Sequence, residues 1–226
     1  REALPALWTK RRSGERDRLI MDRASDPAND RLTAPAEDAK HALRKRVLAA
    51  REALAPDARA ASSESICARA LALPELARAS TVMLFVSFRG EVDTGPLVRA
   101  CLARGSAVAL PRVAGPRLLE TVRVTDLGTD LEPGAWGIRE PRPGLPAVSA
   151  GAIDLVFVPG AVFAPDGARC GYGGGFYDAF LPGLRPGTPR VGLAFEVQIL
   201  DAVPREPHDL TVDLIVTEER VIRRTV

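Results

Sequence analysis

The feature that most narrows the fold is a series of short apolar runs, each of strand length, set between stretches of helical period. Thr81 to Val86 is a continuous apolar run, and Ile153 to Val158 is the strongest buried strand in the sequence. Shorter runs follow the same habit at 107–110, closed by Pro111, and at 118–124, 190–194 and 212–216. Between them the period changes. Ala39, Leu43, Val47, Ala50 and Leu54 recur at spacings of three or four, which gives one helical face from Glu37, with Asp38 placed to cap it. Pro56 ends that helix and opens a second over 57–72, whose Ala60, Ile66, Ala70 and Leu73 point to a core. Residues 94–103 and 176–181 also read as helix. Strands alternating with helices predict an α/β fold: a single three-layer domain over 37–226, with a mostly parallel central sheet flanked by helices. The Gly- and Pro-rich residues 126–150 read as an ordered surface loop.

Bulk properties bound the rest. A chain of 226 residues is long enough for one domain with a substantial core. A net charge of +2 argues against a dedicated nucleic-acid binder. The three cysteines, Cys67, Cys101 and Cys170, have the spacing of neither a zinc site nor a disulfide framework. With no secretory signal in view, they point to a reducing, cytoplasmic setting. No apolar run approaches membrane-spanning length. Residues 1–36 are rich in Arg, Asp, Ala and Pro without apolar period, and are expected to be a flexible extension.

The chemistry concentrates in Arg169 to Asp178, which reads Arg-Cys-Gly-Tyr-Gly-Gly-Gly-Phe-Tyr-Asp. Positions 171–175 hold four glycines, more than a strand-to-helix turn requires. Glycine admits positive φ and lets backbone amides approach a ligand, so such a run is an anion cradle. Gly173, Gly174 and Gly175 directly precede a predicted helix, whose N-terminal end favours anions. Arg169 supplies a phosphate partner, and Asp178 a metal ligand or, more plainly, a dipole-compensating carboxylate. The motif is neither a Walker loop, for no Gly-Lys-Ser/Thr follows, nor a dinucleotide fingerprint, for Phe176 stands at the third glycine. Cys170 reads as a small filler rather than a nucleophile.

Three other groupings stand near strand or helix ends. Lys40 and Arg44 share a helix face, with Arg51 two turns further on. Like charges at this spacing repel, which an anion between them would relieve, though read alone they are a solvated basic face. In Glu91-Val92-Asp93-Thr94, Asp93 or Thr94 can cap a helix, leaving Glu91 to meet the N–H donors of a heterocycle. In Pro207-His208-Asp209, Asp209 is either a turn residue or a second metal ligand. The other histidine, His41, falls on the exposed side of the first helix.

Taken in order, these pieces resemble the 5-formyltetrahydrofolate cyclo-ligase family, also called methenyltetrahydrofolate synthetases, from about Lys40 to Glu219. The matching elements are Lys40-x-x-x-Arg44, Glu-Val-Asp-Thr at 91–94, Leu-Pro-Arg-Val at 110–113 and Gly-Ile-Arg-Glu-Pro at 137–141. Val-Pro-Gly-Ala-Val-Phe at 158–163, the glycine loop, His208-Asp209 and Val-Asp-Leu-Ile-Val-Thr-Glu at 212–218 complete the series. The resemblance implies conversion of 5-formyltetrahydrofolate to 5,10-methenyltetrahydrofolate with ATP as co-substrate and Mg²⁺ as cofactor, releasing ADP and phosphate. It implies catalytic roles for Lys40, Arg44 and Arg169. ATP would be held by these three with Cys170, Gly171, Tyr172, Gly173, Gly174, Gly175, Phe176 and Tyr177. Folate would meet Val86, Glu91, Tyr172, Gly173, Gly174, Gly175 and Phe176, and the metal Asp178 and Asp209. The implied partners are therefore small molecules, a reduced folate and ATP, with no nucleic acid or membrane, and a monomer is expected. Two departures from the family pattern stand out: Cys170 replaces an aliphatic residue, and Phe176 stands where a tyrosine is frequent.

Overall fold

The computed structural model describes the backbone of residues 30–224 and the side chains of residues 37–224. The apolar runs become a seven-stranded sheet. Its strands are β1 (Thr81–Met83), β2 (Ala107–Gly115), β3 (Leu118–Val124), β6 (Leu155–Val158), β9 (Arg190–Leu193), β10 (Leu214–Val216) and β11 (Val221–Arg223), in the order β11-β10-β9-β6-β1-β2-β3. The five inner strands, from β10 to β2, pair in parallel. β3 and β11 close the two edges antiparallel. Two short ribbons stand apart from the sheet: β4 (Leu131–Pro133) with β5 (Arg139–Pro141), and β7 (Val162–Phe163) with β8 (Arg169–Cys170).

Side chains alternate across each inner strand and sort into two cores. Val82, Leu84, Leu155, Phe157, Val191, Leu193, Leu214 and Val216 face one side. They meet Ile66 and Cys67 of helix α2 (Pro56–Leu71), Leu76 of α3 (Pro74–Arg78), and Leu97, Val98 and Cys101 of α4 (Gly95–Ala103). Met83, Val156, Val158 and Ile215 face the other side, under Tyr177 and Phe180 of α5 (Phe176–Phe180) and the 3-10 turn at Leu181–Gly183. A third, smaller cluster joins Val47 of α1 (Asp30–Glu52) to Val162 and Cys170 of the β7–β8 ribbon. The architecture is the expected three-layer α/β fold with a mostly parallel sheet. No described helix is long and apolar enough to cross a membrane.

Local corrections follow from packing. The extension expected over 1–36 lies outside the described residues up to 29, and from Asp30 the chain is already in α1, so Asp38 is inside the helix and caps nothing. The buried stripe of α1 is turned from the expected one. Ala39 and Ala50 are exposed, whereas Lys40, Val47 and Arg51 are buried, with Leu43, Arg44 and Leu48 half-buried beside them. The basic residues are therefore not a solvated face. Ala60 of α2 is exposed, and Ser63 and Cys67 take its place at the core. The surface loop at 126–150 carries the β4–β5 hairpin.

Candidate active site

In parallel sheets, functional loops gather beyond the carboxyl ends of the strands. β1 and β6 are neighbours, so the segments leaving them lie side by side. After β1 the chain turns tightly through Phe88–Glu91, closed by the Glu91 amide donating to the Phe88 carbonyl at 3.2 Å. Beyond β6 it makes the β7–β8 ribbon and only then the glycine loop. α1 packs on that ribbon through Val47 and Leu43, which lays its basic stripe along the loop.

The cations of that stripe are each engaged. Lys40, 6% exposed, donates to Glu206 Oε2 at 2.8 Å and to Asp209 Oδ2. Burial works against its charge, but the carboxylates of Asp209 and Glu206 outweigh it and hold its pKa above the ordinary lysine value. Arg44 Nε donates to the Gly171 carbonyl at 2.8 Å. Arg169, also 6% exposed, donates to Asp178 Oδ1 at 2.7 Å and to the Pro159 carbonyl at 3.3 Å, while its Nε is buried without a partner. Asp178 Oδ1 also accepts the Leu210 amide at 3.3 Å, which ties it to the segment carrying Asp209. Lys40, Arg44, Arg169, Asp178 and Asp209, scattered over the sequence, thus form one connected cluster. Each of the two carboxylates expected to hold metal already pairs with one of the cations expected to hold phosphate.

The loop itself is open to solvent: Tyr172 and Gly173 are exposed, and Gly171, Gly174 and Gly175 half-buried. Gly173 (φ 95°) and Gly175 (φ 64°) occupy left-handed backbone that a side chain would strain. The helix that follows, α5, is a five-residue turn, so little macrodipole stands behind the cradle. Cys170 belongs to the third core cluster, where burial pushes the pKa of its thiol up; it is packing, with its sulfur accepting Arg44 Nη2 at 3.6 Å. Phe176 meets the Trp136 ring edge-on, with centroids 5.7 Å apart and planes at 68°. Trp136 therefore packs against the loop and belongs to none of the core clusters. Tyr177 packs into the second core and its hydroxyl is buried without a partner.

On the other wall, Glu91 is half-buried. Its Oε2 accepts the Phe88 amide at 2.8 Å. Burial pushes its carboxyl up, against the opposing effects of the Tyr172 hydroxyl, the Phe88 amide and the charge of Arg51. Asp93 Oδ1 accepts the Gly95 amide at 2.9 Å at the start of α4. Val86 stands half-buried just beyond β1, packed on the first core.

Two participants escaped the sequence reading. Glu206 is buried against Lys40 and keeps its Oε1 without a partner. Arg51 was visible only as the end of a basic stripe, yet it is 2% exposed and donates to the Tyr172 hydroxyl at 2.7 Å. The signal for Glu206 was its place three residues before Asp209. Ligand atoms of Glu206, His208 and Asp209 lie within 4.8 Å of one another. With an unsatisfied carboxylate oxygen among them, this oxygen-rich set fits a hard divalent cation such as Mg²⁺. The whole arrangement can hold a polyanion and its counter-ion beside a planar group.

Comparison with known proteins shows the family. The model of the 5-formyltetrahydrofolate cyclo-ligase family matches residues 36–218. A 5-formyltetrahydrofolate cyclo-ligase of Mus musculus is 29% identical over 193 residues, covering 80% of this chain and 94% of that protein. The one from Escherichia coli K12 is 30% identical over 177 residues, covering 76% and 96%. Among solved structures, the NMR structure of Aquifex aeolicus 5,10-methenyltetrahydrofolate synthetase aligns with a TM-score of 0.74 at 34% identity, over 83% of this chain and 93% of that one. Because one family pattern runs unbroken from the basic stripe of α1 through the sheet and the glycine loop to β10, the chain is an enzyme of the 5-formyltetrahydrofolate cyclo-ligase family.

Proposed function

We propose that this enzyme cyclises 5-formyltetrahydrofolate to 5,10-methenyltetrahydrofolate at the expense of ATP, with Mg²⁺ as cofactor and with ADP and phosphate as the other products. The observation that carries the reading is the gathering of three cations at one place: Arg44 on the glycine loop, Lys40 on Asp209 and Arg169 on Asp178, with Asp178 tied to the 209–210 segment. The relatives' names supply the substrate, and the crevice supplies the means.

A formamide oxygen is a poor leaving group. Transfer of the γ-phosphoryl group to that oxygen yields an imidate-type phosphate. N10 then attacks the formyl carbon, its proton passes to the departing phosphate or to water, the C–O bond breaks, and the ring closes. This sequence needs alignment and charge stabilisation rather than a protein nucleophile. In keeping with that, Cys170 is buried packing and His208 is largely exposed. Mg²⁺, when bound, would neutralise phosphate charge between Asp178, Asp209 and Glu206. Lys40 and Arg169 exchange their carboxylate partners for phosphate oxygens, Arg44 braces the loop through Gly171, and the loop amides take the remaining oxygens. Glu91 accepts hydrogen bonds from the folate heterocycle, with Val86, Tyr172 and Phe176 around its rings.

The test is optical. Protein mixed with Mg²⁺, ATP and 5-formyltetrahydrofolate should give a rise in the absorbance band of the methenyl product that stops when ATP is omitted. The absence of an ATP-dependent rise contradicts the proposal.

A further inference from the structure

Arg51 stands on the buried side of α1 together with Lys40 and Arg44, but at the far end of the stripe, away from the carboxylates that Lys40 meets. A guanidinium this deep costs desolvation, and an apolar side chain of similar volume would pack there at least as well. It is not fully compensated by the protein either, since its Nε is buried without a partner. What it does touch lies on the folate side of the crevice. Nη1 donates to the Tyr172 hydroxyl at 2.7 Å, and the guanidinium carbon lies 5.8 Å from the centre of the Tyr172 ring. The Glu91 carboxyl feels both that hydroxyl and the Arg51 charge, each opposing the upward push of burial. A Cβ added at Gly90 would stand 3.4 Å from Arg51 Nε, so the side chain lies directly against the Phe88–Glu91 turn. One buried cation thereby joins α1, the glycine loop and the turn after β1.

We propose that Arg51 is a positioning residue for the folate end of the reaction: held to the Tyr172 hydroxyl and packed against Gly90, it fixes the turn that presents the Glu91 carboxylate to the heterocycle's N–H groups. This inference rests on the function proposed above. It separates the basic stripe into two parts, with Lys40 and Arg44 serving the nucleotide and Arg51 serving the other substrate. Arg51 itself touches neither.

The experiment is steady-state kinetics on the wild type, Arg51→Met, Arg51→Lys, Tyr172→Phe and the Arg51→Met/Tyr172→Phe double variant, with folate and ATP varied separately and the Tm recorded for each. Loss of a hydrogen bond to a charged group predicts a folate KM about tenfold higher in Arg51→Met and in Tyr172→Phe, with the ATP KM changed less than about twofold. Because the two residues act through one chain of contacts, the double variant should be no worse than Arg51→Met. Arg51→Lys keeps the charge without the fork and should fall between Arg51→Met and the wild type. If Arg51→Met does not fold, Tyr172→Phe carries the test, since its ring stays in place and only the hydroxyl is lost. Equal rises in both KM values, or multiplying effects in the double variant, overturn the inference and leave Arg51 a structural residue. Wild-type protein without ATP-dependent turnover overturns the function as well, so the two failures are distinguishable.

Discussion

Arg169 sends one arm of its guanidinium to Asp178 and another to a main-chain carbonyl, while its Nε points at no protein acceptor. An arginine so placed is braced for an additional anion. Arg169→Ala removes one charge-assisted phosphate contact, which should cost about 1.5–3 kcal/mol, or about tenfold to a hundredfold in kcat/KM for ATP. Turnover within about threefold of wild type in that variant would remove Arg169 from the proposed machinery. Lys40 allows a sharper test, because it neutralises the carboxylates proposed to hold metal. In protein without nucleotide, Lys40→Ala should tighten binding of Mn²⁺, followed by electron paramagnetic resonance, while weakening binding of ATP. Unchanged Mn²⁺ affinity would mean that Asp209 and Glu206 are not poised for a cation. Glu91 shows the sign that burial sets. Its pKa in the folded protein lies above the ordinary glutamate value, so in the window between the two the folded chain holds a proton that the unfolded chain lacks. Stability therefore falls as pH rises through that window, and Glu91→Gln should raise the Tm at neutral pH while raising the folate KM. A lower Tm in Glu91→Gln would contradict this. These residue types were readable from the sequence; Glu206 was signalled only by its place near Asp209, since nothing in Arg-Glu-Pro-His-Asp says which carboxylate will be buried.

At the scale of elements, strand β6 is the spine. All four of its residues are buried, and Phe157 is wholly enclosed in the first core between the sheet and α2, α3 and α4. Phe157→Ala should lower unfolding stability by about 3–5 kcal/mol, read from denaturant midpoints. A loss below about 1 kcal/mol would contradict the packing described. The inner strands were legible because short β-rich apolar runs have few other homes. β7 and β8 were not, because two-residue strands carry no period to read. They nevertheless decide the site, since α1 rests on them and brings its basic stripe to the loop. The turn of that stripe was misjudged for a related reason. Ala39 and Ala50 match the helical period as well as Lys40 and Arg51 do, and only the partners waiting in the ribbon, the glycine loop and the 206–209 segment make the charged residues the buried ones.

At the scale of the molecule, four stretches far apart in sequence converge at the carboxyl ends of β1 and β6: α1, the turn after β1, the glycine loop that follows β6, and the acidic segment that follows β9. The loop motif announced its chemistry on its own. Its wall of buried ion pairs appears only once the sheet order is known, because Lys40 and Asp209 are 169 positions apart. The proposed function requires one crevice to serve both substrates, with charges that trade partners when the nucleotide arrives. A crystal structure with Mg²⁺ and a non-hydrolysable ATP analogue tests this most directly. The prediction is phosphates seated on the amides between Cys170 and Tyr177, Lys40 and Arg169 turned to phosphate oxygens, and the metal on Asp178 and Asp209. Phosphates bound elsewhere, with the Lys40–Asp209 and Arg169–Asp178 pairs intact, would contradict it.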